Sequence, residues 1–194
     1  MKKAMMIVLV MLVAAPLSWA AAETPKKGGS LVICVGDEPP GLDPTASASA
    51  AIDRVVYSNI FEGLVKIDRD GKLVPGLALR WELSADAKVY TFHLRKGVAF
   101  HNGDPFNAQA VKGHYDFFLA DPPSAVAANL RADIDKVEVV DDYTVRFVTK
   151  GSKPFFLYTL ADSPGSLIYS PKTIALPDTE RLRDVRGTGP FKIK

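Results

Sequence analysis

The stretch LRWELSADAKVYTFHLRKGVAFHNGDPFNAQAVK, residues 79–112, decides the fold. Trp81-Glu82-Leu83 and the run 89–94 are strand-like and flank the polar loop 84–88, which is hairpin patterning. Gly97, Gly103 and Pro105 then punctuate a turn. Asn107 is placed to cap a helix running to Leu119, with Val111, Tyr115, Phe118 and Leu119 on one face. Ala110, three residues after the cap, is not acidic, so the cap acts without a reciprocal partner. Asp121-Pro122-Pro123 stops that helix.

The same patterning continues outward. Residues 64–67 and 72–74 flank a turn holding Asp70-Gly71, a strong hairpin signal. Residues 137–140 and 143–148 flank Asp141-Asp142, and their alternation leaves each strand one wet face. Upstream, residues 30–36 form a short continuous apolar run, expected as a buried strand. A Pro- and Gly-rich loop follows at 37–44, and Ser47 or Ser49 can cap a helix whose apolar face is Ile52, Val55, Val56 and Ile60. Residues 154–160, PFFLYTL, are a short helix or a buried strand. Residues 187–194 predict a glycine turn entering an alternating strand that breaks off at Lys194, leaving Phe191 and Ile193 poorly covered. The class is mixed α/β, a hairpin-rich sheet with packed helices.

The first residues have the form of an export signal. Lys2 and Lys3 precede the apolar run 5–17, and Ala20 and Ala22 each close a small-x-small cleavage pattern. Removing that leader leaves 22 basic against 22 acidic side chains, a neutral chain that argues against nucleic acid as a partner. Cys34 is the single cysteine, so no internal disulfide forms; within its apolar run it is expected as a small buried hydrophobe. Ile33 before it is too bulky for a lipoprotein cleavage site.

Catalytic patterns are absent. His93, His101 and His114 show no metal-ligand spacing, and no cofactor motif or nucleophile elbow is present. Arg95-Lys96 is better taken as a solvated strand end than as an anion site, and Trp81, Tyr90, Phe92 and Phe100 as core rather than a ligand box. Asp43 before Pro44 is expected as a turn former.

Several blocks, in order, resemble the extracytoplasmic solute-binding proteins of family 5, the binders of peptide-type ABC importers: Gly41-Leu42-Asp43-Pro44, the helix-to-strand step 59–64, the segment 70–83, the strand 90–98, the turn 100–106 and Gly187-Thr188-Gly189-Pro190-Phe191. Ala87 departs from the pattern, standing where many members have glycine; if the site needs positive φ, alanine costs about 1 kcal/mol.

The resemblance implies a periplasmic-binding-protein type II-like fold, with a signal at 1–22, the start of lobe I at 23–61, an inserted accessory domain at 62–168 and a return to lobe I at 169–194. The second lobe would lie beyond this N-terminal part. It implies capture of peptides or other small solutes by a periplasmic, monomeric protein that serves ABC permease subunits, without cofactor, metal, nucleic acid or a retained membrane span. It also implies that Ala48, Ser49 and Ala50 offer main-chain groups to a peptide by strand addition; the alternative is a helix start with serine caps. A secreted α+β hydrolase and a free-standing interaction domain are the competing functions.

Overall fold

A computed structural model describes residues 28–44, 49–120, 128–181 and 183–193. The export signal therefore lies outside the described residues, as do Ala48 and the proline stop at 121–123. The chain divides into two units, residues 1–34 and 35–194.

In the first unit, residues 28–34 form no regular element. Leu31, Val32 and Ile33 are 83%, 88% and 74% exposed, and Cys34 is an exposed free thiol. The expected buried strand at 30–36 and the expected buried cysteine are both corrected. Both described sheets are built from strands within residues 65–149, and the run itself carries no strand. An apolar strand without a neighbour satisfies neither its backbone nor its side chains.

The second unit is built around two antiparallel hairpins. Strands β3 (Ala78–Leu83) and β4 (Val89–Leu94) form one; β5 (Ile134–Asp141) and β6 (Thr144–Thr149) form the other. They join into one sheet ordered β3-β4-β6-β5. Alternation sets the register. Tyr90, Phe92 and Leu94 face the core, Phe92 lies opposite Val145, and Tyr90 lies opposite Phe147. Thr91 and Arg146 meet on the outer face. A smaller hairpin pairs β1 (Val65–Ile67) with β2 (Leu73–Pro75). Its turn has Gly71 at φ +77°, and the Asp68 carboxylate accepts the amides of Asp70 and Lys72.

Helix α1 (Ala50–Val56) buries Ile52 and Val56. Helix α2 (Ala108–Ala120) packs across β5 and β6. Its cap is the expected one: Asn107 Oδ1 accepts the Ala110 amide at 2.9 Å. Its buried face holds Val111, Tyr115 and Phe118, and also His114. Short helices α3 (Ala128–Asp133) and α4 (Phe156–Asp162) follow, so the PFFLYTL run is helical. Two single-turn helices follow, α5 (Pro171–Ile174) and α6 (Asp178–Arg181).

The apolar side chains form two clusters. The larger runs from Leu64 to Ile168 in sequence and joins both hairpins of the four-stranded sheet to α2 and α4. In it Phe92 and Tyr115 each pack against Phe147 in a T-shaped arrangement. The smaller holds Ile52, Val56, Ile60, Phe61, Leu167 and Tyr169, with Phe118 reaching in from α2. No strand forms at 187–193; Phe191 and Ile193 stand 65% and 49% exposed.

Candidate functional site

The smaller cluster holds the loop that leads toward the candidate ligand stretch. Ser49 is the N-cap of α1, with φ −79° and ψ 120°. Its carbonyl accepts the amide of Ile52 at 2.9 Å, and its side chain makes no capping bond. Ala50 opens the helix and is exposed. The Ser49 carbonyl is therefore committed to the helix, while the first helical amides have no partner inside it. Those donors are the main-chain groups this stretch can present.

Asp43 is more than a turn former. It is only 4% exposed, and its carboxylate accepts the Tyr169 hydroxyl at 2.6 Å. The Tyr169 ring stacks on Phe61 with centroids 4.6 Å apart. The Tyr169 amide donates to Nδ1 of His114 at 3.3 Å. His114 is fully buried, and its Nε2–H donates to the Gly165 carbonyl at 2.9 Å. A carbonyl can only accept and an amide can only donate, so these two partners fix the neutral tautomer protonated at Nε2. Burial holds the imidazole pKa down, to about 4.

The signature turn is scaffold. Asp104 accepts from the Ser170 hydroxyl at 2.7 Å and from Asn102 at 3.1 Å, and Lys172 meets its other oxygen at 2.5 Å. The Lys172 ammonium holds the Asp104 carboxyl below the usual carboxylate range, and the Ser170 and Asn102 hydrogen bonds add to this. Ser170 also caps α5. His101 donates its backbone amide to Gly187 and its Nε2–H to the Gly189 carbonyl. Gly189 and Phe191 in turn donate to the carbonyls of Ile60 and Asn59.

Arg95 donates to the Gly76 carbonyl, and Lys96 lies 5.3 Å from the Tyr143 ring centre. Tyr90, Phe92 and Phe100 are buried core. His93 points outward beside Glu82. An open recess of about 430 Å³ beside this scaffold is lined by Asn102, Lys172, Glu180, Arg183, Asp184 and Arg186 among others. It carries both signs of charge, with Lys172 paired to Asp104 and Arg186 paired to Asp184. Among the described residues no cluster of His, Cys, Asp or Glu could hold a metal ion.

Sequence reasoning found Ser49 and Ala50 at the helix start but missed His114 and Tyr169. The signal for His114 was its position between Val111 and Phe118 on the buried face of α2.

The mixed α/β arrangement is of the periplasmic-binding-protein type II class. An oligopeptide-binding protein of Borrelia burgdorferi shares the fold with TM-score 0.73, at 24% identity over 81% of this chain and 35% of its own. The DppA periplasmic binding protein of Helicobacter pylori, solved with a peptide, matches with TM-score 0.66 at 28% identity, over 78% of this chain and 34% of its own. Residues 72–194 match the bacterial extracellular solute-binding proteins, family 5 middle, and the chain belongs to that family. The glutathione-binding protein GsiB of Pectobacterium atrosepticum is 35% identical over 181 residues, 93% of this chain and 33% of that protein. Di/tripeptide-binding protein 2 of Pseudomonas aeruginosa is 33% identical over 94% of this chain and 38% of its own length. The chain thus spans about a third of the length of these curated relatives.

Proposed function

We propose that this chain is part of the solute-capturing component of an ABC importer, taking up peptides or similar small solutes outside the cytoplasmic membrane and delivering them to the permease. The observation that carries this reading is family membership together with relatives that bind glutathione and di- or tripeptides. No bond is made or broken; ligand favours a closed state by its differential affinity for it. Residues 1–22 act as an export signal cleaved after Ala20 or Ala22, and the protein works as a periplasmic monomer. Among the described residues no helix is long and apolar enough to cross a membrane.

In this reading residues 62–168 form an accessory domain inserted between two segments of lobe I. The division of apolar side chains into two clusters supports it. Ala48, Ser49 and Ala50 present main-chain donors to the ligand.

The test is native mass spectrometry of solute copurified with the intact secreted protein, then calorimetry with di- and tripeptides and reduced glutathione. Saturable binding with the peptide recovered unchanged is expected; peptide hydrolysis would favour the competing hydrolase reading. The site is tested by Ser49→Pro. The observed φ of −79° suits proline, so the helix start survives while one amide donor is lost. Peptide affinity is expected to fall, by about tenfold for one main-chain hydrogen bond. Unchanged affinity would rule this stretch out of the site.

A further inference from the structure

Two buried polar residues remain that neither the scaffold nor the proposed ligand contacts use. Tyr169 and His114 lie at the junction of the two apolar clusters. At one end of the Tyr169 side chain the hydroxyl donates to Asp43. At its backbone the amide donates to His114. His114 in turn grips Gly165, four residues before Tyr169. The segment 165–169 is thus pinned to α2 at two points through one imidazole, and the Asp43 loop is pinned to that segment through one phenol.

We propose that Tyr169 and His114 are positioning residues, a clasp that holds loop 41–44 so that the main chain at Ser49 is presented in one geometry, and that the clasp holds only while the imidazole is neutral. This rests on the reading of Ser49 and Ala50 as ligand contacts.

The chemistry is specific to this tautomer. A proton on Nδ1 turns the acceptor for the Tyr169 amide into a donor facing a donor. The bond is lost, and a cation is left in an apolar site. The groups facing the ring from α2 are Tyr115 and Phe118, and from the 165–169 segment Gly165 and Tyr169. The titratable groups there are the two phenols. Behind them stand Tyr57, which bears on Tyr115, and Asp43 at the far end of Tyr169. Among the described residues His114 has no carboxylate partner to stabilise an imidazolium. Loosening of the clasp is therefore an acid-side event.

The experiment needs no ligand. Amide hydrogen exchange, corrected for the intrinsic effect of pH, is followed from pH 6 to pH 4 on the chain alone. Protection of the Tyr169 amide is expected to drop more than tenfold, with the amides of Ile52 and Asp53 losing protection alongside it. In His114→Gln, whose amide can donate and accept as the neutral ring does, the pH dependence should vanish. In Tyr169→Phe the ring stays stacked but its hydroxyl is gone. The Ile52 and Asp53 amides should then lose protection at pH 6, while the amide of residue 169 keeps it. A purely packing role would leave the pH dependence in place in His114→Gln and leave Ile52 and Asp53 protected at pH 6 in Tyr169→Phe. If His114→Gln does not fold, nitrogen-15 shifts of the wild-type imidazole decide. A proton on Nε2 throughout, titrating well below the ordinary histidine range, supports the clasp; titration near the ordinary value overturns it. Failure of these readouts removes the clasp and leaves the transport reading standing. Absence of solute binding removes that reading and leaves the clasp measurable.

Discussion

Ala87 holds φ at +54° in the turn between β3 and β4, a left-handed conformation that a Cβ makes costly. The turn is otherwise well built. The Ser84 hydroxyl accepts the Val89 amide, and the Ala87 amide donates to the Ser84 carbonyl. Ala87→Gly is therefore expected to stabilise the protein by about 1 kcal/mol, seen as a higher urea midpoint with an unchanged slope. Resemblance to the family flagged this residue, but only the positive φ in the structure shows that the position is strained. His114 is the opposite case. Its partners Gly165 and Tyr169 lie 51 and 55 residues away, so no local pattern could reveal the role. Its folded pKa of about 4 lies below the ordinary histidine value of about 6.5. The unfolded chain then binds the proton more tightly than the folded one. The resulting stability is complete above about pH 6.5 and lost as the pH falls toward 4, by about 3 kcal/mol in all. Urea unfolding at pH 7 and at pH 4 measures it; a difference that persists in His114→Gln would assign the loss to other groups.

At the scale of elements, the segment 187–191 shows what close backbone approach demands. A Cβ on Gly187 or Gly189 would collide with the carbonyls of Ile60 and Asn59, respectively. Gly189→Ala is expected to cost about 1–3 kcal/mol by overpacking. Gly113 is the control. It lies in the exposed part of α2 with nothing within 4 Å of an added Cβ, so Gly113→Ala should instead gain about 0.5–1 kcal/mol. Denaturant midpoints of the two variants should move in opposite directions. The hairpins at 64–74, 81–94 and 137–148 were legible because turn chemistry and alternation are local. The Asn107 cap was legible for the same reason. Residues 30–36 were misread because an apolar run reports a preference for burial and not the presence of a neighbour. Asp43 was underread because a loop carboxylate before proline looks alike whether it faces water or a buried phenol.

At the scale of the whole molecule, the two apolar clusters differ in how they are assembled. The large one draws on hairpin strands that are neighbours in sequence, as where Val137 lies opposite Phe147 across β5 and β6. The small one closes through contacts such as Tyr169 to Asp43, which are 126 residues apart. Loop closure over that span must precede any gain from the contact. This gives the molecule an order of events in time. The body at 62–168 should form first, and folded alone it should unfold in a single cooperative transition. The buried ring of Tyr169 and the loop bearing Asp43 should come to rest afterwards. Pulse-labelled exchange during refolding would show amides of β4 and β6 protected before those of α1, and simultaneous protection would contradict the sequence of steps. The stretch proposed to meet the ligand would then be the last part of the protein to acquire its shape, and the first to surrender it.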